Sequence, residues 1–227
     1  MRTEELMERA WRLAETHGRR PRAVLGLVGP PGSGKSALAR ALVSGLLERY
    51  GPTAAAYAPL DGFHLSNAQL SRLGLASRKG SPPTFDVAGY AALLSRIAAP
   101  GEHDIYCPDF DRTVDEPIAA RHVVPPDTRL VITEGNYLAC ELPGWADARL
   151  HIDELWYVET PDDVREKRLL ERQLAGGRGA AGAQEWVRTN DAPNGELVKA
   201  SRSAPWINDI VHWSGPDGWS SAPLCIG

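Results

Sequence analysis

Cysteine is scarce in this chain of 227 residues: there are three, Cys107, Cys140 and Cys225, set far apart, with no Cys-x-x-Cys pair and no Cys/His spacing suited to a metal. Neither a disulfide framework nor a zinc site is expected, and a reducing cytoplasm is the simple reading. No apolar run approaches the length needed to cross a bilayer, so no membrane role is expected. The opening residues carry charges at Arg2, Glu4 and Glu5, which does not suit a secretory signal. An excess of positive charge is also missing. The net charge is −4, which gives no overall field for DNA or RNA, and no nucleic-acid partner is expected. The length suits one α/β domain over residues 1–227, large enough to bury a core without covalent staples.

Apolar periodicity predicts a helix over residues 3–17, with Leu6, Ala10, Leu13 and Ala14 on one face and Gly18 stopping it. Ala23 to Val28 reads as a buried strand running straight into glycines, and Ser36 to Tyr50 as a helix ended by Gly51-Pro52. Thr53 to Leu60 is a second strand, with Asp61 at its carboxyl end. A short helix over Ser66 to Leu73, a loop at Gly80 to Pro83 and a helix capped by Asp86 and reaching Ala98 follow. Further strands are predicted at Asp104 to Cys107, at Leu130 to Thr133 (ending in Glu134-Gly135) and at Leu155 to Val158. A helix from Pro161 to Leu174 is broken by Gly176 to Gly182; helical character resumes over Gln184 to Thr189 and Pro193 interrupts it. The tail from Trp213 gives no clear element. Alternating strands and helices predict a parallel five-stranded sheet flanked by helices in three layers. Ligands of such sheets sit beyond the carboxyl ends of the strands, where Gly29, Asp61 and Glu134 fall.

Gly29-Pro30-Pro31-Gly32-Ser33-Gly34-Lys35-Ser36 matches G-x-x-x-x-G-K-[ST] in full, between an apolar strand and an apolar-periodic helix. Glycines let successive amides turn toward phosphate oxygens, and the start of the following helix, through Ala37, adds its positive end. Lys35 suits the β- and γ-phosphates and Ser36 suits Mg²⁺. The expected ligands are ATP and Mg²⁺ in a P-loop NTPase fold.

Three classes of such proteins compete. There is no Asn-Lys-x-Asp segment to read guanine, and the strand Leu130 to Thr133 ends in Glu134-Gly135 rather than in the Asp or Asp-Glu of motor and transporter ATPases. A small-molecule kinase needs a carboxylate near an acceptor hydroxyl and arginines that close over phosphates. Asp61 suits the first need, although Asp61-Gly62 is also an ordinary turn pair. Arg165, Arg168 and Arg172 share a helix face, Arg178 follows near Gly176-Gly177, and together they suit a lid over about residues 165–195. A solvated face paired with Glu166 and Glu171 is the alternative.

The ordered set of segments resembles the P-loop kinases of the phosphoribulokinase, uridine kinase and type I pantothenate kinase superfamily, in its nucleoside/nucleotide kinase or fructose transport system kinase branch. It comprises Gly29 to Ser36, Asp61-Gly62-Phe63-His64, Arg78-Lys79-Gly80 with Pro83 and Phe85-Asp86, and Tyr106 through Pro108-Asp109-Phe110-Asp111-Arg112. Thr133-Glu134-Gly135-Asn136-Tyr137, Arg168 through Arg172, Asn190-Asp191 and Asn194 complete it, over a core of about residues 22–205. The resemblance implies phosphoryl transfer from ATP to a hydroxyl of a small metabolite, with a sugar, a nucleoside and a pantothenate-like alcohol all open. It implies Asp61 as the base or hydroxyl-orienting acid, Lys35, Arg168 and Arg172 as catalytic cations, and Glu134 near the metal, with Ser36, or near the acceptor. It places His64, Arg78, Lys79, Asp86, Tyr106 and Arg112 along the acceptor pocket; related kinases often form dimers, and the oligomeric state, homodimer included, stays open. Each keeps a plainer alternative: Asp86 as a helix cap, Tyr106 as a core aromatic, His64 as a structural histidine. A regulatory ATPase or a transporter-associated module without an acceptor remains the other functional class.

Overall fold

The computed structural model describes residues 3–18, 21–215 and 218–222; Cys225 lies outside them. In chain order the elements are α1 (Thr3–Thr16), β1 (Ala23–Val28), α2 (Lys35–Tyr50), β2 (Ala55–Pro59), α3 (Asn67–Arg72), α4 (Val87–Ala98), β3 (Ile105–Asp111), β4 (Glu116–Val124), β5 (Leu130–Gly135), α5 (Trp145–Arg149), β6 (Glu154–Glu159), α6 (Asp162–Ala175), α7 (Ala180–Trp186), α8 (Ala192–Lys199), β7 (Asp209–Trp213) and β8 (Trp219–Ala222).

Among the described residues the main sheet runs β2-β5-β1-β6-β7-β8. The first five strands are parallel and β8 returns antiparallel to β7. Five parallel strands are present as expected, but their membership differs. The segment predicted as Asp104 to Cys107 belongs to a separate hairpin, β3 with β4, and β7 takes the fifth place instead. Only a strand covered on both faces reads as a continuous apolar run. The hairpin has one open side and β7 mixes Asp209 and His212 with its apolar residues, so neither announced its place.

The central strands β1 and β5 are buried along their whole lengths. Successive side chains alternate between two cores. Leu25, Leu27, Leu130, Ile132, Tyr57 and Trp156 face α1 and α2, where Leu38, Leu42 and Leu46 meet them. Val24, Val28, Val131 and Tyr157 face α4 and α5, among Tyr90, Leu94, Tyr137 and Trp145. Each fully buried leucine of this kind contributes about 1.5–3 kcal/mol by removal from water.

The alternation also decides the site. In register, Leu27 of β1 pairs with Glu134 of β5, and Pro59 of β2 pairs with Glu134 from the other side. The three strands therefore end level, and the residues that follow or close them, Gly29, Asp61 and Glu134, come together at one edge.

Two further expectations are corrected. Asp86 does cap α4, accepting from the Gly89 amide at 2.9 Å, as read from the sequence. Pro193, by contrast, does not interrupt the helical path. It sits in the first turn of α8, directly after a π turn at Val187–Asp191, where the Ala192 amide bonds to the Val187 carbonyl. A proline ring clashes with the carbonyl four residues back, and widening the helix by one residue removes the clash. The glycine run likewise breaks the chain only briefly, since α7 already starts at Ala180.

Candidate active site

The phosphate loop joins β1 to α2 and is held from behind. Gly32 has φ 80°, and a Cβ there would lie 2.9 Å from the Arg165 carbonyl, so the residue must be glycine on two counts. Arg165, buried, donates to the Pro31 carbonyl at 3.1 Å and to Asp162 at 2.6 Å. Arg168 donates to the Gly32 carbonyl at 3.1 Å, and Thr160 donates to the Ser33 carbonyl at 2.8 Å. The carbonyls of Pro31, Gly32 and Ser33 are held by these side chains and the Ser33 amide turns back to Pro30, which leaves the amides at the start of α2 for an anion.

Lys35 lies inside this loop, only 6% exposed, with Nζ donating to Asn136 Oδ1 at 2.6 Å and to the Pro30 carbonyl at 3.3 Å. Burial pushes its ammonium down to about 8, against the opposing pull of Glu134 and Asp61. Ser36 Oγ donates to Glu134 Oε1 at 2.9 Å, and the Tyr57 hydroxyl donates to the same oxygen at 2.8 Å. Glu134 is buried; burial first, and the charge of Asp61 second, raise its carboxyl above the usual range. A buried carboxylate and a hydroxyl sharing a hydrogen bond, beside a second carboxylate, form a hard oxygen donor set. Its charge is relieved by a divalent cation, so the residues fit Mg²⁺.

Asp61 stands in a 3₁₀ turn, Leu60–Phe63, immediately after β2. Gly62 beside it is required: a Cβ there would lie 2.4 Å from the Pro108 carbonyl, because the hairpin crosses the turn at this point. Arg112, at the end of β3, brings its guanidinium to 3.6 Å from Asp61 Oδ2. His64 Nδ1 donates to the Asp61 carbonyl at 2.8 Å and its ring packs against Phe85 and Phe110. Burial lowers its imidazole, so the ring is neutral and braces the turn.

The lid arginines divide. Arg165 and Arg168 hold the phosphate loop, and Arg168 also lies over the Trp213 ring at 4.6 Å. Arg172 faces the other way, 3.6 Å from Asp191 and within the field of Asp61 and Arg112. Arg178 packs over Trp186 and donates to Gln173. Lys79 is bound to Asn67 at 2.7 Å and to the Asp115 carboxylate at 2.7 Å. Arg78 is exposed on the 3₁₀ turn Ala76–Arg78, and Asp86 serves its cap. Tyr106 is not brought to the cluster: it pairs across the hairpin with Val123 and is 60% exposed.

Sequence reasoning missed several neighbours. Tyr57 lies on the same sheet face as Glu134, an alternation visible in β2 once its register is known. Asn136, named from the sequence only within a matching segment and given no role, stands two residues beyond Glu134 and accepts from Lys35. Beyond the loop, Gly34, Ala37, Arg168, Trp213 and Trp219 line a cleft of about 410 Å³. The one clue to it was a pair of tryptophans in a tail rich in glycine and proline.

A P-loop on a parallel sheet, a lysine inside it and two carboxylates at the neighbouring strand ends define a phosphotransferase of the P-loop class. No family model matches the chain. A protein of Schizosaccharomyces pombe named as a uridine kinase is 32% identical over 214 residues, covering 92% of this chain and 88% of that protein. YggC of Escherichia coli K12 is 34% identical over 194 residues, covering 84% of this chain and 78% of its own. The crystal structure of a protein from Silicibacter sp. TM1040, named as a fructose transport system kinase, superposes with a TM-score of 0.80 at 35% identity, covering 94% of this chain and 99% of that one. The chain belongs to the P-loop kinase superfamily of phosphoribulokinase, uridine kinase and pantothenate kinase, in its fructose-transport-kinase-like branch.

Proposed function

We propose that this enzyme transfers the γ-phosphoryl group of ATP to a hydroxyl of a small metabolite, with Asp61 engaging that hydroxyl. The observation that carries the reading is the convergence of Lys35, Glu134 and Asp61 at three level strand ends, where the lysine and Glu134 feel the charge of Asp61. A nucleotide switch needs the first two; the third, set beside Arg112, suits an acceptor.

In this reading Lys35 and the loop amides bind and orient the triphosphate. Ser36 and Glu134 would hold Mg²⁺, which when bound offsets phosphate charge. Asp61, 3.6 Å from the Arg112 guanidinium, accepts or orients the proton of the acceptor hydroxyl. Arg172 supplies positive charge toward the transferring group, and the donor's base fits the cleft between Arg168, Trp213 and Trp219. Arg112 and His64 border the acceptor side; Lys79 shapes it through its bonds to the hairpin. Buried free thiols at Cys107 and Cys140 suit a reducing cytoplasm. Whether the chain forms a homodimer is tested by sedimentation. No helix among the described residues is long and apolar enough to cross a membrane.

The relatives are named for uridine and fructose, so the panel begins there. ADP release from Mg·ATP is measured with sugars, nucleosides, glycerate and pantothenate-like alcohols. One acceptor stimulating release well above the basal rate supports the reading; measurable ATP hydrolysis with no stimulation across the panel favours a regulatory ATPase.

A further inference from the structure

Two adjacent residues, Asn190 and Asp191, reach into different parts of the molecule. Both end the π turn that precedes Pro193, and each is only 6% exposed. Asn190 Nδ2 donates to the Lys79 carbonyl at 2.8 Å, a contact between positions 111 residues apart. Asp191 Oδ1 lies 3.6 Å from Arg172, and its Oδ2 accepts from Gln173 at 3.4 Å. The extra residue of a π turn shifts the phase of the residues after it, and here it lets consecutive side chains serve two elements.

The contacts continue on both sides. The Lys79 ammonium is bound to Asn67 and to Asp115 in the hairpin turn, and the same turn begins at Arg112, which faces Asp61. The Gly80 carbonyl accepts from the Tyr137 hydroxyl at 2.6 Å, just beyond Glu134 in the chain. Segment 78–85 is thus held to the lid at one point and to the end of β5 at the next.

We propose that Asn190 is a positioning residue that couples the lid helix carrying Arg172 to segment 78–85, so that nucleotide binding at the loop orders the segment on the acceptor side. The proposal rests on the reading of Asp61 as the transfer site, but its test does not depend on turnover. Because α6 rests on the loop through Arg165 and Arg168, an adjustment of the loop on binding nucleotide passes to Arg172, from it to Asp191, and through Asn190 to the Lys79 carbonyl. The π turn holds both contacts in consecutive residues, so the path from α6 to segment 78–85 is short.

Hydrogen exchange with mass spectrometry reads the coupling directly. The amides of Arg78, Gly80, Ser81 and Thr84 all have hydrogen-bond partners, so segment 76–86 reports its own order. In the wild-type protein, Mg·AMP-PNP is expected to slow exchange in both 165–175 and 76–86. In Asn190→Ala the nucleotide should bind with affinity within about twofold of wild type and still protect 165–175. Segment 76–86 should no longer respond and should exchange about five- to tenfold faster in the free protein, the weight of one buried hydrogen bond. Asn190→Asp keeps the shape while replacing the donor, and should behave alike if the alanine variant proves unstable. A wild-type response in 76–86 with either variant, or no nucleotide response there in the wild type, overturns the proposal. Failure of AMP-PNP to bind would instead count against the function proposed above, and the coupling would then be judged on the free-protein exchange: faster in the variants supports it, unchanged overturns it.

Discussion

Ser36 and Glu134 meet through a 2.9 Å hydrogen bond although 98 residues separate them in the chain. Ser36 lies in the first turn of α2 and Glu134 near the end of β5. They meet because β5 adjoins β1 in the sheet and because position 134 falls on the face that α2 covers. The bond joins the phosphate loop to the strand beside it. The site's chemistry follows from which third group approaches this pair.

Asp61 is that group, and Asp61→Asn should lower acceptor-stimulated turnover by about 10²–10⁴-fold, the usual contribution of a positioned proton acceptor. The affinity for Mg·ATP should stay close to wild type. Steady-state ADP release together with nucleotide titration checks both; near-normal turnover would place the base elsewhere.

Lys35 gives a pH signature. Its folded value, about 8, lies below the unfolded 10.5, so between those two values the unfolded chain holds more protons and stability rises with pH. Below about 8 the cost of burying the charge is fully present, and at about 1.4 kcal/mol per pH unit it is bounded at about 3 kcal/mol. Lys35→Met should therefore raise the thermal midpoint of the nucleotide-free protein at pH 7 by a few degrees while losing triphosphate affinity. The gain should shrink as pH climbs through that window. Thermal melts at pH 7 and pH 9.5 measure it, and a lower midpoint at pH 7 would contradict it.

Tyr57→Phe removes one of the two hydrogen bonds to Glu134 Oε1. That bond favours the ionised carboxylate, so without it the already raised carboxyl rises further. The form that holds a cation is then lost at a higher pH. The acid limb of activity should move upward, and half-saturation by Mg²⁺ at neutral pH should need several-fold more metal. Magnesium titrations at two pH values give the answer; coincidence with wild type would deny Tyr57 this part.

Arg168 and Arg172 should separate kinetically. Arg168→Ala loses a bond to the loop and the packing on Trp213, and should raise KM for ATP by about tenfold, near 1.4 kcal/mol, with a smaller change in kcat. Arg172→Ala should lower kcat by about tenfold or more with little change in ATP affinity. Equal effects on both constants from both variants would mean that the helix acts as one surface, as a simple lid would.

The sequence made most of this legible where the signal was local. The loop Gly29 to Ser36 declared itself by glycines and a lysine at fixed spacing, and β1, α2 and β5 by unbroken or periodic apolar residues. The cap at Asp86 needed only a carboxylate three residues before a free amide. The arginines of α6 were visible as a helical face, but that face is shared by two surfaces, and periodicity does not say which residue meets the loop and which meets Asp191. Tyr106 lay inside a matching segment, yet hairpin pairing turns it outward. Strands β4, β7 and β8 were missed because each mixes polar with apolar residues and gives no continuous apolar run; β7 in addition takes its place from β6, a strand well before it in the chain.

By itself, then, the chain determined that a phosphate loop would form, that a parallel sheet would present Asp61 and Glu134 at strand ends, and that the arginines would lie on one helix. Those outcomes follow from propensity, alternation and spacing, which act over a few residues. Tertiary structure decided that β2, β5 and β1 lie side by side in that order, which brings three strand ends into one site. It also decided that Tyr57 and Ser36 share one oxygen of Glu134, and that Asn190 reaches Lys79. Each of these joins residues tens to more than a hundred positions apart, and only the packing of two cores on either face of the sheet selects them from the many pairings the same side chains allow.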